Sequence, residues 1–523
     1  MTVRDCFVGQ FHEIEKDSIR QGVCQSLPAD QFVVNDHYCI LHAPTQSKDL
    51  EEFNRIVNEK ITRRESHFEA IVFPGSFRLD HGNPYDLPMN FRYAQFLSSV
   101  ELHKIKTKYL YFDHCVFHGF THFNSVLIQE LATFDSAVFK REAWFSGSHF
   151  GRSDFSNAIF QGSTRFNMGA TFNNTADFTS ARFESSTDFS SAIFRDSVWF
   201  NEAVFPDKSN ISFVWSEFET LVSFKKAIFE GYVSFDGTES RPVFGKDAVL
   251  DLQKAQLERP ERLSFHTVRL QPNWFVNANA RKLVFTNCHW KDQYNKNVNT
   301  ESELECLVQT VANYDKITAG SPQQRIDPST SNPNKLLTQT CWQLADNYEK
   351  SKGFSDASVF RRIAFESERL DRKARIKKWY KRLADILKGD VECEAATAGI
   401  LGRTRQIFEL FESKNRPYDL VHSLYHHLSG YGEKWFRAFC WLLLIWIFFA
   451  VLYWLTGSFI FLENQPPMDF GHAIGYSLQV MALRTPEPRP YGASTIILYG
   501  VETILSPVVA ALLALAIRRK FMR

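Results

Sequence analysis

The sequence is poor in the features that mark catalytic and nucleic-acid-binding chains. Sixty basic residues face fifty-nine acidic ones, for a formal net charge of +1, so no overall field draws a polyanion and nucleic acid is not an expected partner. Nine cysteines are scattered and odd in number, without the paired spacings of a disulfide framework, which points to a reducing compartment. There is no Gly-rich phosphate loop ahead of a helix, no Gly-x-Ser-x-Gly elbow and no His-Glu-x-x-His; an enzyme is not expected. The adjacent His426 and His427 point apart and have no paired acid nearby. Met1–Gln10 offers no basic stretch followed by an apolar run, so no leader is expected and the chain ahead of residue 438 is assigned to the cytosol. Methionine is scarce as well, at 6 residues against 49 phenylalanines.

That surplus of phenylalanine is periodic. Phe recurs at 134, 139, 145, 150, 155, 160, 166, 172, 178, 183, 189, 194, 200 and 205, and resumes at 213, 218, 224, 229 and 235. A small residue often precedes it by two places, as in Ala137-Val-Phe139, Ala158-Ile-Phe160 and Ala192-Ile-Phe194. Neither a helix nor an alternating strand has this period. A fixed short period signals stacked turns, each burying its neighbour's apolar face. Five residues per side and four sides per coil give a right-handed quadrilateral β-helix with Phe as its interior column. The register resembles the pentapeptide-repeat family in its central-Phe variant. Weaker copies flank it, Ala94-Gln-Phe96 upstream and Leu263-Ser-Phe265 to Leu283-Val-Phe285 and Trp290 downstream. Some seven to nine coils at the ~4.8 Å strand spacing predict a rod roughly 35–45 Å long. Some members of that family mimic DNA on strongly acidic rods. Here Arg152, Arg165, Arg182 and Arg195 are interspersed with Asp154, Asp177, Asp188 and Asp196, and mimicry is not the favoured reading.

The end of the chain is of another kind. Ala438–Leu455 and Ile496–Ile517 are each long enough to cross a hydrocarbon core of ~30 Å. Between them Phe470–Leu483 is too short to span and too apolar for an ordinary loop, and reads as a re-entrant segment. Lys434 and Arg437 precede the first span; Arg518, Arg519, Lys520 and Arg523 follow the second. The positive-inside rule places both ends in the cytoplasm and the 462–492 loop outside. The second span, with Pro507 and the small residues Ala510, Ala511, Ala514 and Ala516, resembles the inner helix of two-span, potassium-channel-like pore domains. That resemblance implies a homotetramer in the bacterial inner membrane, with Pro507, Ala511 and Ala514 at the gate. A potassium filter needs carbonyl rings from Thr-Val-Gly-Tyr-Gly; the sequence here is Ala482-Leu-Arg-Thr-Pro-Glu-Pro488, so potassium selectivity is not expected. If ions pass, Ser477, Gln479, Arg484, Thr485 and Glu487 are the candidates for the outer mouth. Glu502, an intramembrane carboxylate, either rings the vestibule or reaches the outer headgroups.

Between and before these parts lie the connecting regions. Residues 1–72 form a head containing Cys6, Cys24, Cys39 and His42, a Cys3His set that suits tetrahedral Zn²⁺; unrelated thiols are the alternative. The segment Tyr38-Cys-Ile-Leu-His42 followed by Lys48–Phe53 resembles the amino-terminal part of membrane-linked bacterial pentapeptide proteins. A helix capped by Ser47 is predicted over Ser47–Glu65, sealing the first coil. Residues 73–295 are assigned to the β-helix and 296–335 to a linker whose Ser/Pro/Asn-rich part, 319–335, reads as a flexible insertion. In 336–434, Leu336–Lys350 and Ser355–Lys388 predict two helices resembling one tetratricopeptide-like unit. The basic run Arg369–Arg382 suits anionic lipid or simply solvent. Ser423–Gly432 leads into the pore-like module, 435–523, in wording similar to the same membrane-linked proteins. The expected whole is a multidomain β + α membrane protein conducting inorganic ions under control of a β-helix that binds a protein or small ligand. The alternative is a membrane-anchored scaffold.

Overall fold

The computed structural model describes residues 39–43, 45–80, 88–291, 297–317, 332–388, 427–428, 435–456, 459–460, 469–485, 487, 489–490 and 492–521. Most of the expected insertion at 319–335, the segment 389–426, Ser429–Lys434 and both Cys6 and Cys24 lie outside them. Two compact units divide the chain, Met1–Ser351 and Lys352–Arg523.

In the first unit the phenylalanines fix the architecture. Each ring lies face to face with its counterpart one coil on: Phe134–Phe155 at 4.7 Å, Phe155–Phe178 at 4.9 Å and Phe178–Phe200 at 4.9 Å between centroids. A second column runs Phe145–Phe166–Phe189–Phe213 at 4.7–5.0 Å. The two meet edge to face, Phe155 against Phe166 at 5.4 Å and 82°. Ala137, Ala158, Ala170, Ala192 and Ala203 are fully buried beside them, where a larger side chain would collide with the ring. The spacing of small residue and Phe is thus a packing requirement.

Because a side is only five residues long, most strands have just two residues, such as Ile159–Phe160, Thr164–Arg165, Thr171–Phe172 and Ala176–Asp177. They pair in parallel, in register, with the equivalent strands of neighbouring coils. One face forms a nine-stranded sheet and the next a ten-stranded sheet, from Phe77–Asp80 to Val284–Thr286. The remaining two faces share an eleven-stranded sheet, because His149–Asp154 runs round a corner and pairs on both sides of it. The result is a β-solenoid of ten turns, counted along the ten-stranded face. That exceeds the seven to nine expected, and the imperfect flanking copies named above, with Phe96, Phe265 and Phe285, do join the stack.

The corners place residues in the left-handed region, at Ser136, Asn157, Ser180 and Glu202 among others. Non-glycine residues are tolerated there because the corner amides are bonded to the next coil: Ser136, Asn157 and Ser180 each donate at 2.8 Å to Ser156, Thr179 and Asn201. Gly162 is different. A Cβ there would lie 2.2 Å from the Arg141 carbonyl carbon of the coil below.

Helices close both ends. Helix α1, Leu50–Thr62, buries Phe53, Ile56, Val57 and Lys60, and Phe53 meets Phe73 edge-on at 5.9 Å. Its N-cap is Asp49, which accepts from the Glu51 and Glu52 amides, and not Ser47, which belongs to a preceding 3-10 turn. At the other end are α2, Thr300–Ile317, and α3, Pro333–Lys350. Gln343 accepts from the Ala280 amide at 2.9 Å, and Asn347 donates to the Ala280 and Leu283 carbonyls. Glu303 accepts from both the backbone and side-chain nitrogens of Asn273. The 3-10 turns Pro272–Phe275 and Ala280–Lys282 of the last coil are thereby tied to the two helices.

The second unit holds α4, Phe354–Lys388, α5, Trp435–Thr456, α6, Phe470–Met481, and α7, Ala493–Phe521. Only α5 and α7 are long and apolar enough to cross a membrane among the described residues.

Removing one ring tests the packing. Phe166→Ala is expected to cost about 3–5 kcal/mol and Phe166→Leu clearly less, by the cavity each leaves. Denaturant unfolding of the full chain, followed by circular dichroism, reads the difference; equal losses would contradict the stacked core.

Candidate functional site

The short helix α6 is held between the two long ones. Asp469 caps it, accepting from the His472 amide at 2.7 Å. Its buried residues, Ala473, Tyr476, Ser477 and Val480, follow helical spacing and form one face. They pack with Ile445, Phe449 and Tyr453 of α5 and Val509 of α7. Tyr453 and Tyr476 meet edge to face at 4.8 Å. The Trp446 indole donates to the Ile474 carbonyl at 3.0 Å, tying α5 to α6 a second time.

The polar centre of this packing is Glu502 of α7, which is fully buried. The Ser477 hydroxyl donates to its carboxylate at 2.5 Å and lies 3.2 Å from the Trp446 carbonyl. The Tyr453 hydroxyl faces the same carboxylate. Thr495 and Ser506 are buried on the same side of α7, seven residues before and four after Glu502. A carboxylate taken out of water costs several kcal/mol unless hydrogen-bonded. Here the two neighbouring helices, α5 and α6, each bring a hydroxyl to it, so Glu502 acts as a pin that fixes where α6 sits.

The sequence-predicted residues therefore separate into two sets. Ser477 and Glu502, expected at the mouth, are brought together in the interior of one chain's hairpin. Gln479, Arg484, Thr485 and Glu487 are exposed, from the last turn of α6 through the left-handed Leu483 into the return loop. Arg489–Pro490 of that loop pairs antiparallel with Phe459–Ile460 beyond α5. Within α7, Pro507 is half-buried while Ala511 and Ala514 are exposed. Sequence reasoning missed Trp446, Tyr453 and Tyr476. Their helical spacing was visible, but nothing in the sequence says which faces of two distant helices meet.

A second polar cluster lies at the solenoid's first coil. Cys39 Sγ is 3.0 Å from His42 Nδ1, and His42 Nε2 donates to the Glu69 carbonyl at 3.1 Å. The other two residues of the proposed zinc set, Cys6 and Cys24, lie outside the described residues, and no group of three metal-binding side chains occurs among those described. Nearby, Lys48 donates to the Leu41 carbonyl at 2.7 Å and to that of Val72, and its ammonium sits 4.3 Å from the Phe53 ring centre. Burial draws this ammonium down to about 7, with the charge of Cys39 pulling the other way.

Comparison with known proteins places the central coils. A family model described as pentapeptide repeats, in nine copies, matches residues 112–159 and 169–207. The solenoid is built of pentapeptide repeats. No curated protein and no solved structure matches the chain. The pentapeptide match stops where the count is disturbed, by the longer wall after Phe205 on one side and the less regular coils before Phe112 on the other.

Two outcomes follow for these clusters. Ser477→Ala is expected to leave the Glu502 carboxylate short of a donor and to cost about 1–3 kcal/mol, whereas Glu502→Gln, which keeps an acceptor, costs less; thermal unfolding in detergent orders the two variants. At the first pentapeptide coil, the unfolded chain binds the Lys48 proton up to 10.5 but the folded chain only to about 7. Stability should accordingly rise with pH across that window. Lys48→Met should flatten the slope, and an unchanged slope would show that another group carries it.

Proposed function

We propose that this protein is an integral membrane protein of channel type, in which a cytosolic pentapeptide solenoid governs a pore assembled from the 435–523 modules of several copies. The observation that carries this reading is the buried Ser477–Glu502 contact that holds α6 between two apolar helices. An anchor needs only two spans. A third, shorter helix fixed by a carboxylate withheld from water makes sense if its position matters.

The exposed polar residues support the same reading. Gln479, Arg484, Thr485 and Glu487 gather at the C-terminal end of α6, where the helix dipole presents partial negative charge. In a symmetric assembly, with four copies the favoured number, these residues would surround the axis; Arg484 would oppose cations and Glu487 attract them. Prolines and charges in this loop cannot form a carbonyl ladder, so potassium selectivity is not part of the proposal. Leu444, Ile447, Phe448, Ile497, Val501, Ile504 and Val508 remain exposed on the spans and suit lipid or a neighbouring copy. The proposed setting is the inner membrane, with both ends cytoplasmic. A ligand or protein bound by the solenoid would bias a two-state gate through the residues between solenoid and first span.

Planar-bilayer recording in asymmetric salt tests this. Unitary currents are expected, with the reversal potential moving toward anions in Glu487→Gln and toward cations in Arg484→Gln. The competing reading is a membrane-tethered scaffold. Silence in wild type and in both variants, together with full cellular function when an unrelated membrane hairpin replaces 435–523, would establish that reading instead.

A further inference from the structure

The solenoid wall carries a built irregularity. After Phe213 the left-handed corner residue is Trp215, with φ of 54°. The same corner in the preceding coils holds Ser125, Gly147, Met168 and Ser191, so geometry does not call for an aromatic residue there. The indole is half-exposed, although its amide is bonded to the Asp236 carbonyl at 2.7 Å. One coil on, at Gly237, the regular count breaks and an arm leaves the wall. A Cβ at Gly237 would meet the Thr267 carbonyl at 3.1 Å and the Arg241 carbonyl at 3.2 Å. The arm turns back at once: Thr238 and Arg241 exchange both backbone hydrogen bonds, at 3.0 and 3.2 Å, and the Thr238 hydroxyl also accepts from the Arg241 amide. It is a closed turn and not a slack loop.

Between arm and wall lies a cleft of about 300 Å³. Ile193, Trp215 and Pro242 give it an apolar lining, while Glu217 from the wall and Arg241 from the arm bring opposite charges. Both charged side chains are exposed and neither forms an ion pair among the described residues. Two unpaired opposite charges beside an indole complement a molecule with an apolar body, a carboxylate and an ammonium group.

We propose that this cleft binds a free α-amino acid with an apolar side chain, its carboxylate on Arg241, its ammonium on Glu217 and its side chain against Trp215. This deepens the proposed function by giving the solenoid its ligand class, and it rests on that reading only for its consequence at the gate.

Isothermal titration of the full chain in detergent, with L-phenylalanine as the probe, tests it apart from any current. Saturable binding of one molecule per chain is expected. Phenylpropionate, which lacks the ammonium, and phenethylamine, which lacks the carboxylate, should each bind roughly tenfold more weakly or worse, as should L-phenylalanine to Arg241→Ala and Glu217→Ala. Trp215→Ser restores a residue that this corner holds elsewhere; it should fold normally by circular dichroism and lose binding. Absence of saturable binding for L-phenylalanine and L-leucine alike, or wild-type affinity retained in Trp215→Ser or in Arg241→Ala, overturns the assignment. Binding without any change in bilayer current would leave the cleft in place and count against the gate.

Discussion

Parallel strands in a sheet lie ~4.8 Å apart, and stacked aromatic rings settle at nearly the same distance. The solenoid depends on that coincidence. Its phenylalanines repeat at 4.7–5.0 Å along the main columns, so the backbone ladder and the side-chain stack impose one pitch and neither strains the other. A leucine core could bury similar area but would not set a pitch. From this shared spacing come the two-residue strands, the alanine beside each ring and the hydrogen-bonded corners.

A solenoid has ends, and here each end is sealed differently. At the first coil the seal is mostly apolar, with Phe53 against Phe73, and the Lys48 ammonium lies over the Phe53 ring. At the last coil it is a polar match, in which Gln343 and Asn347 bond the backbone groups of Ala280 and Leu283. The hairpin of α5 to α7 solves a comparable problem with Glu502. In all three places a few hydrogen bonds fix the placement of a helix whose burial supplies most of the stabilisation.

How much of this can be read from residues alone depends on range. The Phe register is local and repetitive, so the solenoid and its pentapeptide character were legible; the two apolar helices were legible from length. The cap at Asp49 was missed by two residues because Ser47 is an equally good capping type, and only the intervening turn decides between them. The flanking copies were legible too, but the number of coils was set too low because their irregular spacing does not divide evenly into turns. In the hairpin, Glu502 stood out as a charge in an apolar run, but its partner Ser477 lies 25 residues away on another helix. No periodicity links them. Trp215 and the arm at Gly237 were hidden for a similar reason: they read as lapses in the pattern, and a lapse has no meaning until the neighbouring coil is in place.

The corner amides bonded from coil to coil have an evolutionary corollary. Because each coil is held by its two neighbours, duplicating or deleting one unit of some twenty-two residues, the Phe213 to Phe235 interval, would change the rod's length by a single strand spacing while both end seals stay intact. Length is thus inherited in discrete steps, and the outward-facing residues can diversify without touching the core. Such a wall works as a graduated ruler on which a cleft can be moved, added or erased without redesigning the fold.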